Sequence, residues 1–147
     1  MKYKNLEEQL EAVKKDGWCI QYIKNPSLEV QLEAVREESY SIRHIRKPQE
    51  AVQLEAVKKG YCIEYIKNPS EAVQLQAVRE NGYNIQYIKN PTEAVQLQAV
   101  KRDGLSVKFI EYPSLEVQLE AYKHIVKKIN TSKNPETLNK NNRIYVF

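Results

Sequence analysis

The sequence predicts an all-α protein: a right-handed α-solenoid of short helix–short-helix repeats with a longer C-terminal capping helix. Three observations predict it. The stretch PSEAVQLQAVRENGYNIQYIKN, residues 69–90, recurs along the chain at about twenty-two residues, with copies starting near 4, 26, 48, 69, 91 and 113. A fixed period of that length is the signature of a stacked repeat array. Within each copy, apolar residues return at helical spacing. The outermost copies depart from the pattern, as capping repeats do.

Numbering each copy from its proline makes the elements explicit. Positions 5, 7, 9 and 10 (Val73, Leu75, Ala77, Val78) fall on one arc of a helical wheel, and Ala72, Gln76, Arg79 and Glu80 fall on the other. Positions 2–12 are therefore an amphipathic helix. Asn68-Pro69-Ser70-Glu71 and Asn90-Pro91-Thr92-Glu93 predict an Asn N-cap, Pro at the first helical position and Glu three residues after the cap. Gly17, Gly60, Gly82 and Gly104 predict left-handed C-caps, with Ser39 replacing the glycine once.

Positions 15–20 read aromatic-x-Ile-x-Tyr-Ile, as in Tyr83, Ile85, Tyr87 and Ile88. Such alternation also fits a strand, which would give an α/β horseshoe. Position 16 favours a helix: it is Cys19, Ser41, Cys62, Asn84 or Ser106, and Ser and Asn are good N-caps. The expected element is a short α- or 3-10 helix over positions 17–21, with 17 and 20 facing inward. In the last copy Leu119, Tyr122, Ile125, Val126 and Ile129 keep helical spacing with no glycine, which predicts a closing helix from Ser114 to about Asn130. Residues 1–130 then form the array, and 131–147 a basic polar linker with an apolar C-terminal tail.

Units of the form EAVQLQAVKxNGYNIQYIKNP resemble short helical tandem-repeat proteins of phages and bacteria. The design is similar to HEAT-like repeats and to the leucine-rich-repeat variant, which pair a longer helix with a very short one. The resemblance covers roughly Lys4 to Lys128, and it implies a helical solenoid. The iron–sulfur cysteine cluster of some leucine-rich-repeat-variant proteins is not present in this sequence.

Composition narrows the function. The chain of 147 residues is 29% charged and 41% hydrophobic, which fits one folded domain. It has no run of membrane-spanning length and no apolar leader after MKYKNLEEQL, so the expected location is the cytoplasm. Residues 1–122 carry 17 Lys/Arg against 18 Asp/Glu, and residues 123–147 carry 6 against one: a neutral array with a basic end. Cys19 and Cys62 occupy the same position two copies apart. At roughly 10 Å per stacked helix, they stand about 20 Å apart, too far for a disulfide.

Neither a phosphate loop, a nucleophile–base signature nor metal-ligand spacing occurs in the sequence. His44 stands where other copies have Tyr or Phe, and His124 has no acidic or cysteine partner at ligand spacing. The expectation is no enzyme, no catalytic residue, no metal and no cofactor. Position 6 is glutamine in all six copies: Gln9, Gln31, Gln53, Gln74, Gln96 and Gln118. Lying within the apolar arc, these amides need partners, and the expectation is a structural role: bonds to a turn or to the adjacent copy that pin the stacking register.

Two aromatic rows carry the leading functional reading. Position 15 is Trp18, Tyr40, Tyr61 and Tyr83; position 19 is Tyr22, His44, Tyr65, Tyr87 and Phe109. Position 19 is expected in the core and position 15 at the surface, where Tyr and Trp favour partner binding. The expected function is a non-enzymatic protein–protein interaction module. One specific form, which the phage resemblance implies, is a phage-encoded inhibitor of a bacterial defence or host protein. The alternatives are a nucleic-acid or polyanion binder using Lys24, Arg46, Lys67 and Lys89 near helix N-termini, and a self-assembling protein joined through Ile144, Tyr145, Val146 and Phe147.

Overall fold

The structure, a computed structural model, describes residues 3–60 and 62–132; Tyr61 and the tail with Ile144, Tyr145, Val146 and Phe147 lie outside the described residues. Among the described residues six α-helices alternate with five 3-10 helices: α1 Leu6–Lys15, η1 Gly17–Tyr22, α2 Leu28–Glu37, η2 Ser39–His44, α3 Glu50–Lys59, η3 Ile63–Tyr65, α4 Glu71–Glu80, η4 Gly82–Tyr87, α5 Glu93–Arg102, η5 Gly104–Phe109 and α6 Leu115–Ser132. No strand occurs among the described residues. Each α-helix packs on the α-helix before and after it in the chain; η1, η2, η4 and η5 pack against the α-helices on either side of them, and η3 against η2 and η4.

One core runs through all of it. It is built from Val30, Val52, Val73, Val95 and Val117 at position 5, from the position-9 alanines, and from Val13, Val35, Val57, Val78 and Val100 at position 10. The short helices add Ile20, Ile42, Ile63 and Ile85 at position 17 and the position-20 isoleucines. Positions 17 and 20 thus face inward as expected. The position-7 leucines of the first five copies pack against this core from its edge.

The helix boundaries differ from the sequence expectation, and each difference has a cause. The N-cap is position 2: Ser27, Ser70 and Thr92 accept from the backbone N–H three residues on, each bond worth about 1 kcal/mol. The asparagines before the prolines are not caps. Asn25, Asn68 and Asn90 are left-handed, with φ between 49° and 53°. Proline disfavours the right-handed helical region for the residue before it, and Asn tolerates the left-handed one.

The position-3 glutamate does not fold back in a capping box. Glu50, Glu71 and Glu93 accept the hydroxyls of Ser70, Thr92 and Ser114, the N-caps of the next copy. At the other helix end Lys59 donates to the carbonyl of Arg36, and Arg102 to that of Glu80. The fourth and fifth copies are thereby tied at both ends of their long helices, and the second with the third, the third with the fourth and the fifth with the sixth at one end.

No glycine has positive φ, so left-handed C-caps are absent among the described residues. Four of the long helices, α1, α2, α4 and α5, end when position 13 turns extended and its side chain caps the following 3-10 helix. Asp16, Glu38, Asn81 and Asp103 accept from the N–H two residues on. Four of the short helices, η1, η2, η4 and η5, therefore begin at position 14 rather than 17, with position 16 inside them. η3 begins at Ile63, position 17, as expected, with Cys62 at its N-cap but making no side-chain cap bond. Ser41, Asn84 and Ser106 at position 16 are buried, and Asn84 donates to the carbonyl of Ala77 at 2.8 Å.

Glycine is needed for space. A Cβ on Gly82 would stand 2.5 Å from the carbonyl oxygen of Ala99, and one on Gly17 would stand 2.5 Å from that of Ala34. In the second copy Ser39 occupies this position, and the facing residue of the third copy is Gly60. A Cβ on Gly60 would lie 2.4 Å from the Ser39 hydroxyl. The third copy is one residue shorter, which puts its glycine opposite the serine. The small residue has moved across the seam.

Both cysteines are free thiols. Burial pushes the Cys62 thiol up to about 11, which keeps it protonated and inert at neutral pH.

The glutamine column is bound within the copy in the five copies that begin with proline; Gln9, in the copy that has none, does not share this bond. Gln31, Gln53, Gln74, Gln96 and Gln118 donate from Nε2 to the carbonyl of the proline five residues earlier, at 2.9–3.1 Å. This is the turn-binding form of the expectation; the links between copies are made by Glu, Lys and Arg instead. Replacing Gln74 with Glu sets a carboxylate against the Pro69 carbonyl. Gln74→Glu is expected to lose about 1–3 kcal/mol at pH 7. The introduced carboxyl has a raised folded-state pKa, so the loss sets in above its unfolded value near 4.3 and shrinks on acidification, when the protonated acid can donate. Urea unfolding beside the unmodified protein at pH 7 and pH 4 measures it; a difference independent of pH would contradict the donor assignment.

Candidate interaction surface

The two aromatic rows are brought together, but in the reverse of the expected order. Position 19 is exposed: Tyr22, His44, Tyr65, Tyr87 and Phe109 all face solvent, whereas Trp18, Tyr40 and Tyr83 at position 15 are half-buried. The reason is the short helix itself. At three residues per turn, positions 14, 17 and 20 line its inner side, and 19 is left outside.

The rows interlock across copies. Each described position-15 ring meets the position-19 ring of the next copy edge to face: Trp18 with His44 at 5.6 Å, Tyr40 with Tyr65 at 5.9 Å, Tyr83 with Phe109 at 5.8 Å. Such pairs contribute about 0.5–1.5 kcal/mol beyond area burial. Arg43 lies over the Tyr65 ring, and Lys108 over both Tyr83 and Phe109. His44 is thus an aromatic partner of Trp18, which accounts for its place in the tyrosine column.

Two of the tyrosines, Tyr65 and Tyr83, are held in the protonated form. The Tyr65 hydroxyl is held above its ordinary value first by a hydrogen bond to Glu64. Tyr83 is raised first by partial burial and then by the Asp103 carboxylate. At Tyr65 and Tyr83 the surface offers neutral phenol donors across the physiological range.

Beside the rings are two clefts in equivalent positions. One, of about 510 Å³, is lined by Ile23, Asn25, Pro26 and Gln31 together with His44, Ile45, Arg46 and Lys47. The other, of about 410 Å³, is lined by Ile88, Lys89, Asn90, Pro91 and Gln96 with Phe109, Ile110, Glu111 and Tyr112. Each lies between two successive copies, bordered by a position-19 ring and reaching the glutamine column. The Oε1 atoms of Gln31, Gln53 and Gln74 are buried and accept no hydrogen bond.

The basic column is also at the surface. Lys24, Arg46, Lys67 and Lys89 are exposed, and none has an ion-pair partner among the described residues. The column changes sign at Glu111. His124 has a partner that sequence reasoning missed: its Nδ1 accepts from the Gly104 N–H at 3.1 Å. No group of three or more His, Cys, Asp or Glu among the described residues is placed to hold a metal ion, and no described helix is long and apolar enough to cross a membrane.

Truncating the two rows should separate support from display. Tyr83→Ala is expected to destabilise by about 1–3 kcal/mol, since it removes a half-buried ring and its edge-to-face partner. Tyr87→Ala, at a ring 45% exposed, should change stability by less than about 1 kcal/mol. Equal losses in thermal unfolding would contradict the assignment of the rows.

No family model, no curated protein and no solved structure matches this chain significantly.

Proposed function

We propose that this chain is a non-enzymatic protein-binding module, its repeats wound as a right-handed α-solenoid. The observation that carries this reading is the exposed position-19 column, backed by the half-buried position-15 rings. Rings fixed by edge-to-face contact give up little conformational freedom on binding, and each offers apolar area with a polar edge. The recurrent clefts add apolar floors with amide groups, the mixture typical of protein-recognition sites. In this reading Trp18, Tyr40 and Tyr83 position the contact residues; Tyr61 holds the same repeat position in the sequence. The narrower form, a phage-encoded inhibitor of a bacterial defence or host protein in the cytoplasm, rests on the resemblance in the repeat motif.

A second reading has one observation behind it: the four unpaired cations Lys24, Arg46, Lys67 and Lys89. They would hold a phosphate backbone beside the helix N-termini. The sign change at Glu111 favours the protein reading, because a strand of nucleic acid needs a continuous basic track.

The two readings separate in one experiment. The tagged protein is used to capture partners from bacterial lysate with and without nuclease, beside a Tyr65→Ala/Tyr87→Ala variant and a variant with the four cations changed to Gln. A discrete protein retained after nuclease and lost about tenfold or more in the tyrosine variant supports the module. Nucleic acid that elutes steeply with salt and is lost in the cation variant would overturn it.

A further inference from the structure

The outer face of α6 carries a pattern that no inner helix has. Leu115, Leu119, Tyr122, Val126 and Ile129 follow one another at steps of four, three, four and three residues. That is the 3.5-residue hydrophobic period of a coiled-coil seam. α6 turns Val117 and Ala121 inward, toward α5 and η5. Its seam is left open. Leu115 is 81% exposed, Leu119 51%, Tyr122 65% and Ile129 47%. The leucines equivalent to Leu119 in the other copies are packed against the core. A contiguous apolar strip of this kind marks an interaction site.

Charge identifies the occupant. The approach to α6 and its first half are acidic, with Glu111, Glu116 and Glu120; its second half is basic, with Lys123, Lys127 and Lys128. Of these, Glu120 and Lys123 pair within the helix at 3.7 Å. A second α6 laid antiparallel brings each acidic half alongside the other copy's basic half, and apolar seam against apolar seam. A parallel arrangement sets like charges together. The chain's own residues 133–147 carry three Lys/Arg and one Glu, the same sign as the half of α6 they would have to cover. We propose that two copies of this chain form a dimer of two-fold symmetry by antiparallel packing of α6 on α6 across this seam, a closed arrangement.

Sedimentation equilibrium of the full chain tests it. The expected mass is twice 17.2 kDa. Leu119→Glu/Tyr122→Glu should raise the dimer dissociation constant by about a hundredfold or more, while circular dichroism and thermal unfolding of the monomer show the fold intact. Glu116→Lys/Glu120→Lys should weaken the dimer at low salt, and adding Lys123→Glu/Lys127→Glu should restore it, because an antiparallel pair is complementary again when both halves are reversed. A monomeric full chain, a dimer indifferent to the seam variant, or a failure of the second reversal to restore association would overturn the proposal.

Discussion

The structure depends on how closely one copy's backbone comes to the next. At Gly17, Gly82 and Gly104 the space a methyl group would need is occupied by the carbonyl of the following long helix, at Ala34, Ala99 and Ala121. Those carbonyls belong to the position-9 alanines, themselves buried. Small residues on both sides of the seam set the separation, and the valines and isoleucines around them then fill the core at close packing. Between the second and third copies the small residue is on the other side, since Ser39 is matched by Gly60 across the seam. With the separation set, the polar ties fall into reach: glutamate to the next N-cap, lysine or arginine to the previous carbonyl. Each tie is exposed and individually small; their repetition aligns the copies.

The α-helices were legible because Val, Leu, Ala and Val return with a helix's period in every copy. The short helices were harder. Residues 82–87 show alternation, which is the strand signal, yet Gly82, Ile85 and Ile88 are also three apart. Three residues per turn is the 3-10 period, and it decides which side is buried. The segment is helical, but Ser41, Asn84 and Ser106 at position 16 lie inside their short helices rather than capping them; only Cys62 stands at an N-cap, without a side-chain bond. The asparagine and glycine signals were tied to motifs they do not form here. Asn25 answers to the proline after it, and Gly82 to a carbonyl in another copy.

The candidate surface was legible as a set of rows and not as an order. Trp18, Tyr40 and Tyr83 were expected at the surface, and His44, Tyr65 and Phe109 beneath it. Which row is covered depends on how the next copy sits over this one, a fact absent from any single copy's pattern. The same holds for the glutamines. Their partner, a proline carbonyl five residues back, is local in sequence, but it becomes reachable only because the cap lies at position 2. The consequence for function is a surface whose rings are fixed by the stacking itself, so that display of Tyr65 and Phe109 and the cohesion of adjacent copies share the same contacts.

The most direct test of this account is the stability of Gly82→Ser beside that of Ser39→Gly, by urea denaturation. The two changes exchange the same residues at the same repeat position. The account predicts a loss of about 1–3 kcal/mol for Gly82→Ser, whose Cβ meets a backbone carbonyl, and little change for Ser39→Gly, where Gly60 already leaves room. If Gly82→Ser unfolds at the same urea concentration as the unmodified protein, close backbone approach does not set the packing of the copies.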